Sequence, residues 1–264
     1  VSENDKHAAR IHLHRGNLEQ ARACYERALE TDRSGSDRQA LSDTLGNLGN
    51  VCAMAGDYGQ AERYYRDVLA IQRDQQDMGA VGHTLVNLGN LQAEAGRPEL
   101  ARPYYLEALD LLTPLGDDRA LGILYSNLAL QDSMAGRFEE AIVSFRKALD
   151  HHRLVGDEQG LAMSYSQLGK TFHEAGRLRD AEKCLNNASE HFIKLGQPAG
   201  EVSTLRQLAK IYEQDGNVPS AIRCVERAVT LGTVYRLNEV DADSRTLARL
   251  RGQIALSHVE NHDS

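Results

Sequence analysis

The sequence predicts an all-α solenoid of tandem helix-turn-helix units, and three observations carry that reading. Glycines stand forty residues apart at Gly16, Gly56, Gly96, Gly136, Gly176 and Gly216. Alanines follow each by five, at Ala21, Ala61, Ala101, Ala141, Ala181 and Ala221. Between these ladders the apolar residues fall at helical spacing, as in Val81, Leu85, Leu88 and Leu91. A fixed period of this size marks one supersecondary unit repeated, in which each copy contacts only its neighbours.

The unit over residues 81–120 shows each element in turn. A first helix runs to Ala95 and stops at Gly96, because glycine takes the left-handed conformation at a helix end without penalty. Pro98 sits at a first-turn position, where the missing N–H is harmless. Ala101, Tyr105, Ala108, Leu109 and Leu112 line one face of a second helix. Pro103 lies inside that helix, where it removes a backbone donor and predicts a local bend. Leu115-Gly116-Asp117 closes the unit, with Asp117 as N-cap of the next. That turn recurs at Val155-Gly156-Asp157 and Leu195-Gly196-Gln197. Ser36 and Gln76 replace its glycine in the earlier units, and Ser36 with Gln39 has capping-box spacing.

Small residues at Gly49, Gly89, Ala129, Gly169 and Ala209 admit close helix packing. Tyr25, Tyr65, Tyr105, Phe145, Leu185 and Val225 fill the core between units. The expected division is six repeats over 1–40, 41–80, 81–120, 121–160, 161–200 and 201–240. The first repeat is degenerate, with Ala8-Ala9 at the leucine-glycine position. The period is read as slipping after Gly232. Residues 241–258 then form an amphipathic helix through Leu247, Leu250, Ile254 and Leu256, which caps the open apolar face of the last repeat. A polar tail occupies 259–264.

Leu-Gly on the first helix, Gly at the turn and Ala-x-x-x-Tyr/Phe-x-x-Ala on the second resemble the tetratricopeptide repeat. The match runs through Leu48-Gly49, Gly56, Ala61, Tyr65 and Val68, and again through Leu88-Gly89, Gly96, Ala101, Tyr105 and Ala108. The forty-residue period with its Asn-Leu-Gly-Asn box is similar to the long-helix subclass of kinesin light chain and the Pins-type spindle-orientation regulators. The resemblance implies a right-handed superhelix whose first helices line a concave groove. It also implies a role in holding a protein partner.

On that placement the groove residues flank the leucine-glycine pair. They are Asn47, Asn50, Asn87, Asn90 and Asn127, then Gln167 and Lys170, then Gln207 and Lys210, with Arg206 beside them. Asparagine carries both a donor and an acceptor, so a ladder of amides can satisfy the backbone of an extended peptide. The competing reading is that these amides bond to the adjacent repeat. Lys170, Arg206 and Lys210 suit acidic side chains or a carboxylate, although Glu174 and Glu213 stand nearby. The carboxylate clamp of chaperone adaptors is incomplete here, because Gly46, Ile123 and Asn127 stand where its basic residues belong.

The net charge of −8 argues against nucleic-acid partners, which require concentrated Lys and Arg. No apolar run long enough for a membrane span and no signal peptide is visible, so a cytoplasmic location is expected. Cys24, Cys184 and Cys224 fall at equivalent positions, spaced too far apart for disulfides, and read as small core residues. No nucleophile elbow, phosphate loop or metal-ligand cluster is present, so no enzyme activity, metal or cofactor is expected. His151-His152 is read as a surface pair. The leading function is a scaffold or adaptor that holds an extended peptide segment. A peptide-sensing module of a larger signalling protein and a self-assembling array are the alternatives.

Overall fold

Regular spacing of helix-stopping residues sets the architecture. The computed structural model describes residues 2–260, with side-chain surroundings through Gln253. Thirteen helices are present among the described residues, with no strand. They are α1 (Ser2–His14), α2 (Leu18–Ser34), α3 (Arg38–Met54), α4 (Tyr58–Asp74), α5 (Met78–Glu94), α6 (Pro98–Leu112), α7 (Asp118–Met134), α8 (Phe138–Leu154), α9 (Glu158–Glu174), α10 (Leu178–Lys194), α11 (Pro198–Gln214), α12 (Val218–Tyr235) and α13 (Val240–Glu260). Two compact units are formed, residues 1–124 and 125–264, and α7 begins in the first and ends in the second.

The glycine ladder does what its chemistry predicts. Gly16, Gly96, Gly136, Gly176 and Gly216 all have φ of +74° and Gly56 has +77°, each just past a first helix. The closing turns use the same device, with Gly116, Gly156 and Gly196 at +65°, +66° and +62°. Gln76 holds the equivalent place at +57° without being glycine. Side chains are strained in this region by roughly 1 kcal/mol or more. Gln76→Gly is therefore expected to raise stability by about 1 kcal/mol, read from the urea midpoint.

Two sequence expectations about turns are corrected. The period does not slip at Gly232, because α12 runs through it to Tyr235. Arg236 then turns at φ +52°, in register with Gly116, Gly156 and Gly196, so an arginine conceals the turn. Ser36 is not a cap. Asp37 caps α3 by accepting from the Ala40 N–H at 2.9 Å. Asp57, Asp77, Asp117 and Asp157 repeat the contact with N–H groups three residues on, at 3.2, 3.0, 3.1 and 2.9 Å. A carboxylate at a helix N-terminus gains from both the hydrogen bond and the dipole. Helix α6 continues through Pro103 to Leu112.

The core follows the second ladder. Ala21, Ala61, Ala101, Ala141, Ala181 and Ala221 are all fully buried. The leucine-neighbouring glycines make room for a side chain of their own helix pair. A Cβ built at Gly49 would lie 2.6 Å from the Tyr65 ring, and one at Gly169 would lie 2.7 Å from Leu185. All four cysteines are free thiols, and three are buried.

In the first unit, buried polar groups tie α1, α2 and α3 together. Asp32 accepts from Ser2 Oγ and Thr44 Oγ1, each at 2.6 Å, and pairs with Lys6 Nζ at 3.1 Å. Burial alone would raise the Asp32 carboxyl. The Ser2 and Thr44 hydrogen bonds and Lys6 outweigh it and hold the group below its usual 3.8. A lowered folded-state value contributes stability above the unfolded value, and that stability is lost as pH falls through the folded one. Urea melts are expected to show this loss below about pH 3.8, and Asp32→Asn should flatten it.

In the second unit, α13 covers the end of the α11–α12 pair. Leu250 is fully buried against Ala209, Ala221 and Val225, with Leu247 packed beside it. The side chains of Ile254 and Leu256, also expected on this face, lie outside the described residues, as do residues 261–264 of the tail.

Candidate functional site

The first helix of each pair presents a recurring outward face. On α3 it carries Asp43, Asn47, Asn50 and Met54, and on α5 His83, Asn87, Asn90 and Glu94. These positions are three or four residues apart, so each set lies on one helix face. In the first unit the face opens into a concavity of about 380 Å³. Asn47, Asn50 and Asp43 line it from α3, and Lys6 and Arg10 from α1. In the second unit a concavity of about 370 Å³ lies between α7, the start of α8, and α9. Leu130, Met134, Phe138, Gln167, Lys170 and Glu174 line it.

The amides fall into two classes that differ in how they are engaged. Asn50 Oδ1 accepts from the Tyr65 hydroxyl at 2.6 Å, and Asn90 Oδ1 from the Tyr105 hydroxyl at 2.8 Å. Both tyrosines are buried, and burial pushes the Tyr65 phenol up to about 12. A buried hydroxyl without a partner is costly, so these two asparagines serve the core. The bond is within one helix pair, which corrects the expectation of bonding between repeats. The signal was present in the sequence. Asparagine follows the small residue only where a tyrosine stands fifteen residues on. Repeats with Phe145, Leu185 and Val225 carry Leu130, Lys170 and Lys210 there instead.

The position before the leucine behaves differently. Asn47 is half-buried at the concavity and Asn87 is exposed on α5. Asn127, Gln167 and Gln207 are half-buried at the same place on α7, α9 and α11. Gln207 Oε1 is buried without a hydrogen-bond partner.

The basic residues divide as well. Arg206 is corrected from a groove residue to an anchor of α13. Its guanidinium donates to Asp243 at 2.7 and 2.8 Å, to Glu239 at 2.6 Å and to the Asn238 carbonyl at 3.2 Å. Lys170 and Lys210 remain exposed. Lys170 Nζ stands 3.9 Å from Glu174, too long for a direct hydrogen bond. Glu213 does not offset Lys210, because Arg249 on α13 holds it through two contacts at 2.5 and 2.9 Å. The hydrogen bond from Arg249 is also the main reason that the Glu213 carboxyl lies below its ordinary value.

One cluster in the second unit was misjudged from sequence. His152 is 2% exposed, not a surface residue, and His151 stacks on Tyr125 with centroids 5.5 Å apart. His152 Nδ1 lies 3.0 Å from Asp157 Oδ2, and its Nε2 lies 3.5 Å from Ser126 Oγ. Gly160 leaves the space the imidazole occupies. The order resembles a nucleophile, base and acid. Ser126, however, sits inside α7, where backbone N–H groups are committed to helix bonds and offer no oxyanion donors. Its hydroxyl instead meets Ser164 Oγ at 2.9 Å. The cluster is a buried polar contact between helix pairs. Among the described residues no group of three His, Cys, Asp or Glu side chains could hold a metal, and no helix is long and apolar enough to cross a membrane.

These features define an all-α tandem-repeat protein of the solenoid class. The family profile for the tetratricopeptide repeat matches residues 4–74, 80–153, 121–194 and 160–233, and the chain belongs to that family. No curated protein matches it by sequence at a significant level. Among solved structures it is similar to BtubC (BKLC) from P. vanneervenii, with 25% identity and a TM-score of 0.75 over 83% of this chain and 92% of that one. It is also similar to a kinesin light chain-like protein of Podosopora anserina with nearly identical TPR-like repeats. There the identity is 15% and the TM-score 0.61, over 76% of this chain and 99% of that one. A third is a signal transduction ATPase with a tetratricopeptide repeat sensor from Pyrococcus horikoshii. Identity is 14% and the TM-score 0.72, and 98% of this chain covers 44% of that protein. The last two likenesses are of fold.

Proposed function

We propose that the chain is a protein–protein interaction scaffold that holds an extended peptide segment of a partner along the outward face of its first helices. Tetratricopeptide repeats generally mediate protein–protein contacts, and this chain has them through residues 4–233. One observation carries the finer reading. Amides recur at forty-residue spacing before each leucine, at Asn47, Asn87, Asn127, Gln167 and Gln207, and the core tyrosines do not need them. Asparagine is a mediocre helix former, so its recurrence mid-helix at Asn47 and Asn87 supports contact with a ligand. Asn50 and Asn90 keep a secondary place, with their oxygens committed to tyrosine. Lys170 and Lys210 favour acidic residues on the peptide, and Arg206 acts only through α13.

A photo-crosslinking amino acid tests the face. One variant carries it at Asp43 on α3, the other at Arg63 on α4; both positions are exposed. A peptide selected from a display library should crosslink at position 43 and not at position 63. The reverse result would move binding to the second helices and overturn the reading.

A further inference from the structure

The second unit differs from the first in what surrounds its concavity. In α3 and α5 the outward face is amide, charge and a single methionine. In α7 it carries Leu130 and Met134, which are 37% and 73% exposed, and Phe138 of α8 closes the same concavity. One exposed leucine means little on any protein surface. Three large apolar side chains around one opening, with a lysine on the rim, have the composition of a small recognition pocket.

The core does not demand Leu130 or Met134. Leu130 occupies the place where Asn50 and Asn90 accept a tyrosine hydroxyl, and its own helix pair has Phe145, which has no hydroxyl. The equivalents of Met134 are Met54, Glu94, Glu174 and Gln214. Sibling repeats thus fold with asparagine or glutamate at these two positions. The charge around the pocket is equally particular. Lys170 lines it, with Glu174 no closer than 3.9 Å. One repeat further on, Lys210 is exposed, and Arg249 holds Glu213, which stands three residues along the same helix.

We propose that the Leu130–Met134–Phe138 pocket takes an apolar side chain of the bound peptide, and that Lys170 and Lys210 take carboxylate side chains next to it and further along. The inference rests on the scaffold reading above and adds the sequence pattern of the partner. Helices in adjacent repeats pack roughly 10 Å apart, and an extended peptide advances about 3.3 Å per residue. Lys170 and Lys210 are then about three peptide residues apart. The partner segment carries a leucine, methionine, isoleucine or phenylalanine, an adjacent aspartate or glutamate, and a second acid about three residues beyond.

The test is selection of a random decapeptide display library on the full chain and on two variants built from sibling residues. One is Leu130→Asn with Met134→Glu. The other is Lys170→Asn with Lys210→Asn. Selected peptides are then remade with a fluorophore and titrated by anisotropy. The parent should enrich the apolar-acidic pattern, and changing the apolar residue to serine should weaken binding by about tenfold or more. The first variant should lose that apolar discrimination while still distinguishing Glu from Gln. The second should lose the Glu-over-Gln preference while keeping the apolar one. Far-ultraviolet circular dichroism equal to the parent confirms that each variant is folded. Peptides that bind but show no apolar or acidic pattern, or a pattern that survives in both variants, would overturn the pocket and leave the scaffold reading standing. A library from which the parent enriches nothing would overturn both.

Discussion

Replacing Gly89 by alanine is expected to lower the stability of the α5–α6 pair by about 1–3 kcal/mol, the range for overpacking a filled core. A Cβ at Gly89 would sit 2.3 Å from Cε1 of Tyr105. The ring cannot swing aside, because it is 1% exposed and its hydroxyl is held by Asn90 at 2.8 Å. Tyr105→Phe alone should cost about 1 kcal/mol for the lost hydrogen bond. The double change should cost less than the sum, since an unanchored ring can slide off the new methyl. Ala129 facing Phe145 already shows that combination in the chain. Urea melts of the four proteins give the coupling. Strict additivity would mean that the Asn90 bond does not fix the ring.

Truncation after Leu237 is the second large effect. It removes α13 and uncovers Ala209, Ala221 and Val225, which Leu250 now seals. Burying a leucine is worth about 1.5–3 kcal/mol, and Leu247 adds to it. The α11–α12 pair should melt earlier, and the exposed apolar end should drive association. The lost ion pairs matter less, because the partners left behind, Arg206 and Glu213, would return to water. Light scattering should show oligomers. A monomer with an unchanged melt would show that α13 is dispensable.

The repeat period was legible because one backbone requirement, a left-handed residue after most of the helices, selects glycine almost wherever it occurs. It was obscured where the chain met that requirement otherwise, at Gln76 and Arg236. Asp37 hid behind Ser36 because capping-box spacing and true capping differ here by one residue. His152 was misplaced because a polar residue in a charged run reads as solvated, while Gly160 had cleared a buried space for it. The amide ladder was legible as a pattern. Its division into Asn50 and Asn90 for the core, and Asn47 and Asn87 for the surface, needed the tyrosine hydroxyls in place. Arg206 could not be separated from the groove basic residues until the position of Asp243 was known.

That division supplies the most direct test of the central claim. A selected peptide should be titrated calorimetrically against the parent, Asn47→Ala with Asn87→Ala, and Asn50→Ala with Asn90→Ala, each protein also being melted. If the first pair of amides holds the peptide backbone, its removal should weaken every selected peptide by a similar factor, on the order of 1–3 kcal/mol, with little change in melting. Removal of the second pair should instead lower the melting temperature, with a smaller effect on affinity. Unchanged affinity in the Asn47 and Asn87 variant, across peptides of different sequence, would contradict the account.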